Sequence, residues 1–329
     1  MHLHTPPAIL ELARNFMESR ILLSAAELDL FTVLAPAPLS AKEIAEKIGA
    51  DLRALTILLD ALAAMGLLSK QKDQYHCAPP LAAFLSKTSP DSILAMVLHM
   101  AHVWQRWSGL TEVVKGHEVP EKRSASPDAV ELRAFIGAMH AVASPLASQI
   151  VSAVGPGPSR ALLDVGGASG TYTIAFLRAV PAMKATLFDR PAVIELARRR
   201  LREAGLLDRV NLVGGDFYRD AFPPGHDLAF VSAIIHQNSP EQNLDLYGKV
   251  FRSLVAGGRI IIRDHLMESD RTRPRDGAIF AVNMLVGTSG GNTYTFEEVQ
   301  RGLAKAGFVR IRLLQRGEHM EGLVEGCKP

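Results

Sequence analysis

From residue 161 onward, short apolar runs alternate with amphipathic segments, and this alternation limits the possible folds more than any other feature of the chain. Residues 161–165, 184–188, 210–213, 227–235 and 259–263 read as strands. Helical spacing fills 171–179 and 193–204. Two further helices open with capping boxes, Ser239-Pro240-Glu241-Gln242 and Thr295-Phe296-Glu297-Glu298. Parallel neighbours need crossover helices, so the pattern predicts an α/β fold. The expected core is a Rossmann-like, doubly wound, mostly parallel sheet with helices on both faces. Runs at 309–314 and 320–325 are expected to pair as a closing hairpin.

An open parallel sheet takes its ligands beyond the carboxyl ends of its strands. Asp164-Val165-Gly166-Gly167-Ala168-Ser169-Gly170 is a glycine-rich turn at one such end. It fits neither GxGxxG nor the GxxxxGK[ST] phosphate loop. Its glycines allow close approach of backbone amides to a ligand. Asp189 ends the next strand, where a carboxylate can accept from both hydroxyls of a ribose. Asp216 and Phe217 follow the third strand and can bracket an adenine by hydrogen bond and by stacking. Either acid can instead cap a helix. His236 is expected to end the fourth strand and Asp264 the fifth.

The first third has a different grammar. Ile9, Leu12, Phe16, Ile21, Leu22, Ala25 and Leu28 keep helical spacing up to Pro36 and Pro38. Ser40-Ala41-Lys42-Glu43 is a capping box, and its helix stops at Gly49. A second helix runs from Asp51 to Gly66, and 67–77 reads as a hairpin. This is the order of a winged helix-turn-helix. DNA recognition would need base-reading side chains on the second helix, which offers only Arg53, Thr56 and Asp60 among Leu and Ala. A packing module at a dimer interface is the better reading. Residues 91–154 are mainly helical, interrupted by Pro145, and Gly155-Pro156-Gly157-Pro158 is a linker. The expected domains are 1–95 and 96–329, the latter a helical segment, 96–155, leading into the sheet, 156–329.

Composition narrows the class. The 329 residues carry a net charge of +2 and are 48% hydrophobic, which argues against disorder and against charge-driven nucleic-acid binding. Cys77 and Cys327 form no CxxC, and no four-ligand zinc spacing exists, so no metal is expected. The apolar stretch at 93–104 is broken by His99 and His102 and is short of the ~20 residues a membrane span requires. No signal peptide is read at the amino end. A soluble cytoplasmic protein is expected.

The runs DVGGASG at 164–170, FDRP at 188–191 and GGDFYRDAFPPGHD at 214–227, then the strand leading to His236, resemble the S-adenosylmethionine-dependent small-molecule O-methyltransferases. This is the family of caffeate, acetylserotonin and antibiotic-tailoring methyltransferases. The resemblance covers nearly the whole chain, including a winged-helix dimerisation domain, and implies a homodimer. It implies S-adenosylmethionine as cofactor and S-adenosylhomocysteine as product. Asp164, Gly166, Gly167 and Gly170 would surround the methionine portion and Asp189 the ribose. Asp216 and Phe217 would hold the adenine, with Arg190, Gly215 and Ser232 as further contacts. His236 would deprotonate the acceptor hydroxyl, oriented by Asp264. An aromatic or polycyclic acceptor would lie against Phe135, Met139, His140, Phe280, Asn283 and Met284, whose apolar members can equally be core.

The chain departs from the family at Ala168, at Gln237-Asn238 where the family reads Asp-Trp, and at Thr293 where it often carries a second acid. Trp104 and Trp107 share a helical face suited to packing or to an aromatic acceptor. His265, next to Asp264 in a strand, is expected to point the opposite way. The alternatives are a relative performing C-methylation or non-methylating hydroxylation, and a winged-helix regulator that senses the cofactor.

Overall fold

The computed structural model describes residues 5–117 and 129–329, without the side chains of 129–131, 133–135 and 138. The chain divides into two compact units, Met1–Gln105 and Arg106–Pro329.

The first unit contains helices Pro6–Arg14, Phe16–Glu27, Leu30–Leu34, Ala41–Ile48, Leu52–Ala64 and Pro79–Leu85, and most of Leu94–Trp107. The helical spacing of 8–34 is divided at Asn15 and at Asp29, whose φ of 57° turns the chain. The Ser40 box is formed: the Glu43 amide donates to the Ser40 hydroxyl, and the Ser40 amide donates to the Glu43 carboxylate. Gly49, at φ 69°, then ends that helix. Leu55, Leu59 and Leu62 pack with Phe31, Leu34 and Ile44 in the core. Strands Ser69–Gln71 and Gln74–His76 form the expected hairpin, and Leu39–Ser40 adds a third strand beside Gln74–His76. Tyr75 anchors it, its hydroxyl donating to Asp60 at 2.6 Å.

The second unit is built on seven strands: β1 Ala161–Val165, β2 Lys184–Asp189, β3 Val210–Gly214, β4 His226–Ser232, β5 Leu254–Asp264, β6 Val309–Gln315 and β7 Gly322–Cys327. Their order across the sheet is β3-β2-β1-β4-β5-β7-β6. The first five are parallel, and β7 and β6 close the edge antiparallel. The two-residue side-chain period gives each face its own core. Leu163, Val165, Val231 and Ile262 pack with Leu246, Val250 and Leu303 on one face. Leu162, Phe230, Ile261 and Leu323 pack with Ile150, Val154 and Phe176 on the other.

Three departures from the sequence reading bear on the site. β4 stops at Ser232; Ala233 turns at φ 57°, and Ile235–Gln237 is a 3₁₀ turn, so His236 does not end a strand. A helix, Arg275–Gly287, fills the segment after β5. A two-residue parallel pair, Leu266–Met267 with Tyr294–Thr295, follows. Among the described residues no helix is long and apolar enough to cross a membrane, and no cluster of potential metal ligands exists.

Candidate active site

The glycine turn leaves β1 and enters helix Thr171–Ala179 through alternating left-handed residues: Gly166 at φ 65°, Ala168 at 48° and Gly170 at 79°. A side chain at Gly166 would meet Ile234 at 2.6 Å, and one at Gly167 would meet Leu187 at the same distance. Ala168 takes the strained conformation that a glycine would adopt freely. Its methyl packs beside Leu132, Ile136 and Val193. Asp189 ties the turn down: one carboxylate oxygen accepts from the Ala168 amide at 2.9 Å, the other from the Arg190 amide at 2.7 Å. Each oxygen keeps a second lone pair for a ligand hydroxyl. Burial raises the Asp189 carboxyl above its ordinary pKa, and the two amides oppose that.

Asp164 lies beneath the turn rather than on its surface. It is buried, accepts from the Thr173 hydroxyl at 2.6 Å, and is pushed up to about 6 by burial. Gly215 lies so close to Phe188 that a Cβ would sit 2.4 Å from the ring. The Asp216 carboxylate accepts from the Tyr218 amide at 3.0 Å, organising its own turn. The Phe217 and Tyr218 rings meet at a tilt of 49° with centroids 4.6 Å apart. The Arg190 side chain is exposed. Ser232 ends β4, and its hydroxyl accepts from Arg263 at 3.1 Å.

His236 and Asp264 are brought together. The imidazole Nδ1 lies 2.9 and 3.0 Å from the two carboxylate oxygens of Asp264, which is buried. A carboxylate only accepts, so Nδ1 carries a proton, and in the neutral imidazole Nε2 keeps the lone pair. The His265 amide also donates to Asp264 at 2.8 Å, holding the carboxylate against the strand end. The 3₁₀ turn bearing His236 is clamped from outside. The Asn292 amide donates to the His236 carbonyl at 2.9 Å, and a Cβ on Gly291 would stand 2.5 Å from the same oxygen. Asn238, the departure from the family's tryptophan, is a fully buried hub. It accepts from the Tyr218 hydroxyl at 2.6 Å and donates to Asn243 at 2.9 Å, and its carbonyl accepts from the Tyr294 hydroxyl.

Phe280 presents its ring perpendicular to His236, with centroids 4.9 Å apart. The expectation for His265 is corrected: its ring lies 4.8 Å from Phe280, so both histidines flank one phenylalanine. Strand alternation ends at Asp264 and no longer governs the next residue. Asn283 accepts from Trp107 Nε1 at 2.9 Å, and Met284 is buried. Trp104 stacks on Phe16 at 5.9 Å. Met139 is half-buried. His140 bonds to Thr171 at 2.8 Å and lines a cavity of about 940 Å³ with Ser148, Arg178 and Arg200, apart from Phe280, Asn283 and Met284. The Phe135 side chain lies outside the described residues. Sequence reasoning names Asn238 only as a departure and misses Gly291; the paired glycines at 290–291 were the available signal for a close approach.

The donor set suits a nucleoside with an amino-acid tail: a glycine turn open to backbone contact, a carboxylate with free lone pairs at the second strand end, and an aromatic ring after the third. The family profile of the O-methyltransferase domain matches residues 111–309, and that of the O-methyltransferase dimerisation domain matches 10–87. The chain is 32% identical over 320 residues to the tetracenomycin polyketide synthesis 8-O-methyl transferase TcmO of Streptomyces glaucescens, covering 94% of each chain. It is 31% identical to the 3-hydroxy-5-methyl-1-naphthoate 3-O-methyltransferase of Streptomyces sahachiroi, covering 98% of this chain and 95% of that one. The solved structure of PigF with SAH superposes with a TM-score of 0.89 at 25% identity, covering 98% of this chain and all of the other. Agreement of this extent in sequence, fold and domain order shows that the chain belongs to the S-adenosylmethionine-dependent O-methyltransferase family.

Proposed function

We propose that the chain methylates a hydroxyl of an aromatic or polycyclic small molecule with His236 as general base. The observation that carries this reading is the two-pronged contact of Asp264 with His236 Nδ1. Bound S-adenosylmethionine supplies an electrophilic methyl group on its sulfonium. The protein's share is to align the acceptor oxygen and remove its proton. Asp264 fixes the imidazole tautomer, directs Nε2 as the proton acceptor and stabilises the imidazolium that forms. Phe280 offers a flat apolar wall beside the base, suited to an aromatic acceptor. The polyketide and naphthoate named for the two relatives support the same class of acceptor.

The turn at Gly166, Gly167 and Gly170, with Asp164 bracing it, would hold the methionine portion. Asp189 and the Arg190 amide would frame the ribose. Gly215, Asp216 and Phe217 would frame the adenine, with Ser232 a further contact. The first unit, ordered as a winged helix, would pair two copies of the chain. Its free thiol Cys77 and that of Cys327 suit the cytoplasm.

The test is a panel of phenols and naphthols incubated with S-adenosylmethionine, with products weighed. Wild type is expected to add one methyl, about 14 mass units, at oxygen. His236→Ala is expected to lose about 100-fold or more in turnover while binding S-adenosylhomocysteine normally. Full turnover by that variant would remove His236 as base, and a gain of about 16 would indicate hydroxylation instead.

A further inference from the structure

Arg263 is 6% exposed, yet its partners among the described residues are neutral. One guanidinium nitrogen donates to Ser232 Oγ at 3.1 Å, and the group lies 5.2 Å from the centre of the Tyr172 ring. Two polar atoms of this cluster are buried without a partner among the described residues, Arg263 Nε and the Tyr172 hydroxyl. A buried donor left unpaired destabilises the fold, and a buried cation without a paired anion does so more strongly. A water molecule could satisfy the two atoms but would bring no counter-charge to the guanidinium. Two acids act on the Tyr172 hydroxyl through space, Asp164 and Glu321. Among the described residues neither acid forms an ion pair with Arg263, and Asp164 already accepts from the Thr173 hydroxyl.

The place of the cluster narrows what completes it. Val231 pairs with Val165, so Ser232 and Gly166 are neighbours at the carboxyl edge of β4 and β1. Arg263 pairs with Ser232 across β5 and β4 and reaches back toward the turn. Tyr172 is the second residue of the helix that leaves the turn. Arg263, Ser232 and Tyr172 thus frame the turn from the side away from Asp189.

We propose that Arg263, with Ser232 and Tyr172, receives the carboxylate of the methyl donor's amino-acid tail. This rests on the reading that the glycine turn holds that tail. A guanidinium presents a planar fork that matches a carboxylate, and Tyr172 adds a neutral donor beside it. The cluster would therefore distinguish a complete donor from a nucleoside thioether without the tail.

Calorimetry with two ligands tests this: S-adenosylhomocysteine, and 5′-methylthioadenosine, which keeps the nucleoside thioether but has no carboxylate. Arg263→Met is expected to weaken the first by about ten-fold or more and to leave the second within about two-fold. Tyr172→Phe should act in the same direction more weakly, and Arg263→Lys should restore part of the loss. Undisturbed methylthioadenosine binding reports that each variant is folded and that the nucleoside site is intact. Equal weakening of both ligands, or no change in either, overturns the proposal and leaves Arg263 as a structural residue. If neither ligand binds the wild type, the cofactor-site reading falls, and the proposal with it.

Discussion

Asp164 shows how one buried acid can serve a loop and burden the fold. Its carboxyl is raised to about 6 by burial, with Asp189 adding to the rise and the Thr173 hydroxyl opposing it. Folding therefore favours the protonated form. The stability this contributes is fully present below the unfolded pKa near 4 and is lost as pH rises through about 6. A gap of about two units corresponds to about 3 kcal/mol. Asp164→Asn keeps an oxygen for the Thr173 hydroxyl and removes the titration. Its stability relative to wild type, measured by urea unfolding, should rise between pH 4 and 7 by roughly that amount. A difference that does not vary with pH would place the titration elsewhere. Asp189 is raised for the same reason, so part of the pH slope should remain in the variant. Ala168 is a separate case: its left-handed backbone carries strain, and its methyl group recovers some of that by packing on Leu132 and Ile136.

At the scale of elements, the base depends on a three-residue turn rather than on the sheet. Ile235–Gln237 is held by the Gly290–Asn292 segment, which touches the His236 carbonyl. A methyl group at Gly291 would stand 2.5 Å from that oxygen, which is backbone and cannot swing aside. Gly291→Ala should therefore displace the imidazole while sparing the glycine turn. The expected result is a fall in kcat of about ten-fold or more, with S-adenosylhomocysteine affinity within about three-fold of wild type. Unchanged kcat would show that the turn tolerates the shift.

This turn also marks where the sequence stops being legible. The strands, the three capping boxes and the glycine turn carry local signals, a two-residue period or side chain-to-backbone bonds, and the structure forms each of them, with β5 beginning at Leu254 rather than Arg259 and β7 running Gly322–Cys327 rather than 320–325. The end of β4 carries none, because Ala233 takes a left-handed conformation that no glycine announces. Helix Arg275–Gly287 is apolar on most of its faces, so no 3.6-residue stripe identifies it. The His236–Asp264 contact was legible because β4 and β5 are neighbours and Asp264 ends β5, although His236 itself sits on the turn beyond β4. The placement of His265 on Phe280 depends on the angle of the chain after β5, which tertiary packing sets. Asn238 reads as a loss when set against a family pattern. Only its partners, Tyr218, Asn243 and Tyr294, show that it joins three segments.

For the whole molecule the question is what covers the amino-terminal helices. Helix Pro6–Arg14 buries none of its residues, yet it is amphipathic. Ile9, Leu10 and Leu12 are 54%, 54% and 47% exposed, and Met17 on the next helix is 51% exposed. Exposed apolar side chains gathered on two consecutive helices are a mark of an interface, and the dimerisation profile begins at residue 10. Ile9→Glu combined with Leu12→Glu places two charges on that surface and leaves the Phe31–Leu59 core untouched. Light scattering should show a homodimer for wild type at micromolar concentration and a monomer for the double variant, with the far-ultraviolet spectrum preserved. A dimer that survives both charges would locate the contact elsewhere. An association made by apolar side chains should hold as ionic strength rises to about 1 M, where ionic contacts at the surface are screened within about 3 Å. Thermal stability should then rise with protein concentration in wild type and not in the variant, because a dimer that holds its protomers folded links the two equilibria.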